Sequence, residues 1–169
     1  MRKILLVVCA VVMAGSLAFA KEKGPKTVKI DDNFLVNRAK VGVQLGKPLG
    51  AVIGYHFTNT IEGNLLLGSD FGFDYFVLGA NALFTVINFH VGKTELPFSV
   101  GPAVFANFAD PFNMDILGVA RLEYTFKDTP INLYAEGGLG VNAFNEAELG
   151  WTASAGVRYV FREKAPKKK

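Results

Sequence analysis

Residues 114–126 read MDILGVARLEYTF. Met114, Ile116, Gly118, Ala120, Leu122, Tyr124 and Phe126 fall on one side of this stretch, and Asp115, Arg121, Glu123 and Thr125 on the other. A period of two belongs to a β-strand, whose successive side chains point to opposite faces. WTASAGVRYVF (151–161) repeats it, with Trp151, Ala153, Ala155, Val157, Tyr159 and Phe161 against Thr152, Ser154, Gly156 and Arg158. INLYAEGGLGVNAF (131–144) sets Ile131, Leu133, Ala135, Leu139 and Val141 against Asn132, Tyr134, Glu136 and Asn142. Comparable runs lie near 39–46, 49–57, 60–68, 73–90 and 96–108, separated by clusters of Gly, Pro, Asn, Asp and Thr. In the fourth, Asn81 and Thr85 interrupt the apolar face, which suggests a parity shift at a bulge. The expected fold class is therefore all-β, with eight antiparallel strands in an up-and-down meander.

The 169 residues suit one domain. Residues 1–20 have the pattern of a secretory signal peptide: basic Arg2 and Lys3, an apolar run over 4–14, and small residues at Ala18 and Ala20 before the charged Lys21. That apolar run is too short to span a membrane. Cys9 follows only eight residues, too few for a lipoprotein signal, so the mature chain is expected to hold itself together by burial or closure rather than by disulfides. Residues 21–38 lack alternation and read as an N-terminal arm; residues 162–169 read as a basic tail after a barrel over 39–161. Without Arg2 and Lys3, 16 basic residues face 15 acidic ones, and the tail holds five of the basic ones against Glu163. The body is thus mildly acidic, which excludes the basic face of a nucleic-acid binder.

An eight-stranded barrel can be soluble, with an apolar interior like that of the lipocalins, or can be turned inside out in a membrane. Lys40, Glu62, Arg121, Glu123, Glu136 and Arg158 recur on the polar faces among Gly42, Gly54, Gly138, Gly140 and Gly156. Three cations and three anions among small residues suit a lumen packed with ion pairs, since eight strands enclose little more than their own side chains. Aromatic residues gather at strand ends. Tyr55 with Phe57, Tyr124 with Phe126, and Tyr159 with Phe161 fall at one level of the meander; Phe73 with Tyr75, Phe108, Phe144 and Trp151 fall at the other. Two girdles around an aliphatic band are what the two interfaces of a bilayer select. The expectation is a transmembrane barrel, closed because an open edge in lipid would leave backbone groups unpaired.

Ser154, Gly156, Tyr159 and Phe161, within SAGVRYVF, resemble the assembly signal of bacterial outer-membrane barrels. Over roughly residues 39 to 161 the chain resembles the small eight-stranded barrels, such as the membrane domain of outer membrane protein A and outer membrane protein X. VGVQLGKPLGAVIGY, RLEYTFKDTPINLYAEGGLGV and AGVRYVF resemble, more closely, small barrels of spirochaetes and similar bacteria. The resemblance implies a place in the outer membrane, with outer-membrane lipid and the barrel-assembly machinery as partners. It puts both termini in the periplasm, with turns at 58–60, HVGKTEL and KDTP there and KP, SDFGF, ADPFN and NEAELG outside. It implies no reaction and no cofactor. The chain departs from the family pattern by continuing past Phe161.

Chemistry-bearing residues are sparse. His56 and His90 fall toward the periplasmic side, away from the outer leaflet where lipid-modifying barrels act, and Ser69 and Ser99 have no histidine near them. No enzyme is expected. No spacing of His, Asp and Glu suggests a transition-metal site, and Asp70 and Asp74 read as a solvated loop before a calcium site. The glycines of GGLG sit in a strand, not in a phosphate loop. Arg121, Glu123, Glu136 and Arg158 come from adjacent strands and can pair, as a plug or as a gate. The default function is a structural or envelope-stabilising barrel with a plugged lumen. A narrow porin-like channel and a surface interaction protein, the latter using the aromatic loop DFGFDYF, are the alternatives. The tail lysines 167–169 can meet anionic headgroups, although a solvated end is the plainer reading.

Overall fold

A computed structural model of the chain describes residues 38–91, 94–126, 129–144 and 148–161. The leader expected over 1–20, the arm expected over 21–38 except for Arg38, and the tail expected over 162–169 lie outside the described residues. Eight strands follow in order: β1 (Ala39–Lys47), β2 (Leu49–His56), β3 (Ile61–Ser69), β4 (Phe76–Val91), β5 (Thr94–Phe108), β6 (Asn113–Thr125), β7 (Ile131–Asn142) and β8 (Leu149–Val160). Each pairs antiparallel with the next, and β8 pairs with β1 from Lys40↔Val160 to Lys47↔Ala153, so the sheet closes into an up-and-down barrel. The Phe161 N–H donates to the Ala39 carbonyl at 3.0 Å, adding one bond past the last strand.

Closure is staggered. The register leads from Lys40 through Gly54, Asn64, Asn81, Ala103, Leu117 and Gly140 to Gly150 on β8. Lys40 itself pairs with Val160, ten residues further along (Gly150 to Val160). Spread over eight strands about 4.8 Å apart, that offset tilts the strands about 40° from the barrel axis. Residues far apart in the chain are thereby brought level inside the lumen.

The fourth strand begins at Phe76, not at 73. Asp70 explains the difference: its carboxylate accepts the N–H groups of Asp74 at 2.8 Å, Gly72 at 3.3 Å and Tyr75 at 3.4 Å, folding 70–75 into a turn. Burial of the carboxyl pushes its pKa up, but the amides of Asp74, Tyr75 and Gly72 and the Ser69 hydroxyl outweigh it and hold the group below the ordinary aspartate range. Phe73 takes a left-handed φ of 59° there, an uncommon conformation for a residue with a large side chain. The bulge in β4 falls between Thr85 and Ile87. Asn81 and Thr85 both lie before it, on the inward face; the Thr85 hydroxyl meets that of Ser99 at 3.0 Å. They belong to the lumen rather than interrupting an outer apolar face.

Candidate functional site in the lumen

The interior has two layers. Toward the end that carries the first and last strand termini, most inward residues are charged or polar; further in they are mostly apolar, and polar residues return at the other mouth. Strand alternation sets this up. On β6, Leu117, Val119, Arg121 and Glu123 all point inward and are buried, whereas Ile116 and Leu122, of the opposite parity, are exposed.

In the charged layer, Lys40 comes from β1, Glu62 from β3, Arg121 and Glu123 from β6, Glu136 from β7 and Arg158 from β8. The fold brings all six into one network. The Lys40 ammonium donates to Glu62 Oε2 at 2.7 Å and to Glu123 Oε2 at 2.9 Å. Arg158 spans the same two carboxylates, with Nη1 2.6 Å from Glu62 Oε1 and Nη2 2.8 Å from Glu123 Oε1. Arg121 completes the group through Nη1 to Glu62 Oε1 at 3.1 Å and Nη2 to Glu136 Oε2 at 2.7 Å. Glu62 thus holds all three cations. Buried charges of this kind are tolerable only when paired and hydrogen-bonded throughout.

Neutral residues fill the remaining valences. Asn132 accepts from Arg158 Nε at 2.9 Å and donates to Glu123 at 3.1 Å. Asn64 accepts from Arg158 at 2.8 Å and donates to Asn81 at 2.8 Å, and Asn81 donates onward to Glu136 at 3.3 Å. The Tyr134 ring has both guanidinium groups over it, each 4.6 Å from its centroid, and its hydroxyl donates to Gln44 at 2.8 Å. A side chain at Gly156 would collide with that ring, so the glycine is needed for the close approach. Asn64, Asn81, Gln44 and Tyr134 drew no attention in the sequence as network members. Their inward parity was the available signal, but parity alone does not distinguish a bridging amide from a filler.

His56, Glu62 and Glu123 offer three ligand atoms within 4.8 Å of one another, and His56 Nε2 lies 2.5 Å from Glu62 Oε2. Lys40 shares this place: its ammonium bonds Glu62 Oε2 and Glu123 Oε2, one oxygen of each carboxylate. The protein supplies its own cation. His90, by contrast, sits outside the lumen and faces Glu95 at 3.7 Å.

The apolar layer is a cluster of Val52, Leu66, Val77, Ala103, Phe105, Leu117 and Val119, joined by Leu83 and Tyr134 nearer the charged layer. At its mouth a cavity of about 20 Å³, enough for one water, is lined by Asp70, Asn107, Asp115 and Trp151 among others. Asp115 accepts from Asn107 at 2.9 Å and from Asn142 at 3.2 Å.

On the outer surface, Tyr55 and Phe57, Tyr124 and Phe126, and Tyr159 and Phe161 make edge-to-face pairs with centroids 5.1, 4.5 and 5.2 Å apart at one end. At the other end Phe76, Phe108, Phe112 and Phe144 form a chain of rings 5.5–5.7 Å apart, and Lys47 lies over Trp151. Tyr75, expected in this girdle, instead packs against the apolar layer of the lumen, because Phe76 takes the outward position at the start of β4. Of the four residues of the terminal signature, Tyr159 and Phe161 point outward, Gly156 lies under Tyr134, and the Ser154 hydroxyl is buried.

No family model, curated protein or solved structure matches the chain.

Proposed function

We propose that this chain is a small integral protein of the bacterial outer membrane, a barrel sealed by two layers in series, whose role is structural and envelope-stabilising. One observation carries the reading. Lys40 and Arg121 are 0% and 1% exposed inside, whereas Leu45, Leu65 and Leu139 are 65%, 58% and 64% exposed outside. A protein dissolved in water reverses that arrangement, because large apolar patches on its surface associate. Lipid as the surrounding solvent removes the conflict. The aromatic pairs at both ends support interfacial anchoring, and closure of the sheet supports residence where no edge can be hydrated.

The end bearing the termini then faces the periplasm. Outer-membrane lipid is the standing partner, and the barrel-assembly machinery acts during insertion, with Phe161 at the closing seam read as part of its signal. The chain joins, on this reading, the small barrels that outer membrane protein A and outer membrane protein X exemplify. It carries out no reaction, and its sealed lumen separates it from porin-like channels.

The test is to fold the full chain into phospholipid vesicles and record from planar bilayers. A heat-modifiable band on gels, with no steady conductance, is the expected result. Steady conductance from the unaltered protein would favour the narrow channel, and recovery as a water-soluble monomer would overturn the membrane assignment.

A further inference from the structure

His56 is the last residue of β2, and it stands apart from the six charges beside it. Its backbone is fixed opposite Glu62 on β3, and its N–H donates to the Arg38 carbonyl at 3.1 Å. The residue is buried, 5% exposed. Nε2 lies 2.5 Å from Glu62 Oε2, yet neither ring nitrogen makes a hydrogen bond among the described residues; the approach is short but out of line. Lys40, Arg121 and Arg158, by contrast, each bond at least two acceptors.

The charge balance explains the difference. Lys40, Arg121 and Arg158 match Glu62, Glu123 and Glu136 one for one, so the layer is neutral while the imidazole is neutral. A proton on His56 adds a fourth cation against three carboxylates, in a place largely closed to water. It would also crowd one oxygen. Lys40 Nζ already holds Glu62 Oε2 at 2.7 Å, the atom that His56 Nε2 faces.

The other charged groups nearby do not relieve that excess. Glu62 Oε1 is taken by Arg158 at 2.6 Å and by Arg121 at 3.1 Å. Glu123, whose carboxylate lies within 4.8 Å of the ring nitrogen, is bonded to Lys40, Arg158 and Asn132. Glu136 is taken by Arg121, and Arg38, ahead of β1, is a further cation. The second N–H of an imidazolium would find no acceptor, and a buried donor left alone costs its full desolvation.

We infer that His56 is a proton-operated switch of the charged layer. With His56 neutral, Lys40 clamps Glu62 to Glu123, and so ties β1 to β3 and β6. With His56 protonated, imidazolium and ammonium compete for Glu62 Oε2 and the clamp loosens. Histidine is the side chain whose ordinary titration falls between about pH 5 and about pH 8, so mild acid is enough to operate it. The switch rests on the geometry of the lumen and not on what surrounds the barrel.

The experiment uses the full chain folded in dodecylphosphocholine micelles, which hold the barrel whether or not a bilayer is its native surrounding. Urea unfolding is followed through Trp151 at about pH 8 and about pH 5.5, on either side of the ordinary histidine value. The folding constant of the wild type should fall at least about tenfold in acid, the equivalent of one proton-binding step displaced by about one pH unit. His56→Gln cannot take up the proton and should lose that response, whereas His90→Gln, outside the lumen, should keep it. Lys40→Met is the sharper variant. It leaves two cations against three carboxylates, so a proton on His56 restores the balance and acid should now stabilise the barrel. Adding His56→Gln to Lys40→Met should remove the inversion. An equal acid response in wild type and His56→Gln overturns the proposal, whether or not Lys40→Met folds. So does an acid loss in Lys40→Met as large as that of the wild type. A wild-type response seen only with added zinc chloride and absent in EDTA would make the trio a metal site and overturn it as well.

Discussion

The two layers of the lumen, one charged and one apolar, close the same bore by different physics. The charged layer is assembled from distant parts of the chain, with Lys40 meeting Glu123 and Glu62 meeting Arg158 across the interior. The apolar layer, from Val52 to Val119, is built by inward residues of successive strands packing between the ion pairs and the polar mouth at Asp115. Area burial stabilises the second without regard to fine geometry. The first makes little net stability, since desolvating six charges offsets most of their attraction, but it penalises every arrangement that leaves one unpaired. A strand slipped by one residue would turn its charge outward. The ion pairs therefore specify register, and the apolar cluster supplies cohesion.

Removing the hub of the charged layer should have the largest effect. Glu62→Gln leaves Lys40, Arg121 and Arg158 sharing less negative charge, and should cost about 3–5 kcal/mol, read by urea unfolding in lipid. A loss below about 1 kcal/mol would mean that the charges are hydrated and that the contrast between layers is wrong. Phe105→Ala in the apolar layer should cost about 3 kcal/mol, with a cavity beside Gly79. Because the layers lie in series, neither single variant should conduct in planar bilayers, whereas the two substitutions combined should. Conductance from Phe105→Ala alone would assign the whole seal to the apolar layer.

Tyr134 joins the layers, so Tyr134→Phe sharpens the comparison at smaller cost. It keeps the ring under both guanidinium groups and removes only the bond to Gln44, for about 1 kcal/mol. An effect as large as that of Glu62→Gln would move the weight of the network to the hydroxyl. The smallest effect is outside the lumen. The Asp70 carboxyl titrates lower in the folded turn than in the unfolded chain, so the order it gives 70–75 is present above the ordinary aspartate value and is lost as pH falls through the lower, folded one. Protection of the Gly72 and Asp74 amides, taken relative to their intrinsic exchange rate at each pH, should fall on acidification in that window while the strands stay protected. Uniform exchange across the barrel would show that the turn is not an independent unit.

The period-two alternation was enough to locate every strand from the amino-acid order alone, because side-chain direction in a strand is a local property. It also placed Lys40, Glu62, Arg121, Glu123, Glu136 and Arg158 on one face, and the Tyr and Phe pairs at the strand ends. It did not reveal Tyr75 turning into the lumen, which depends on where the Asp70 turn releases the chain into β4. Nor did it reveal that Leu117 and Val119, sharing the face of Arg121 and Glu123, belong to a separate apolar layer. Which cation meets which carboxylate, and which asparagine bridges them, was decided only by the ten-residue stagger at the β1–β8 seam (Gly150 to Val160). Direction is set by each residue and its neighbours. Level around a closed barrel is set by all eight pairings at once, and only the assembled sheet contains it.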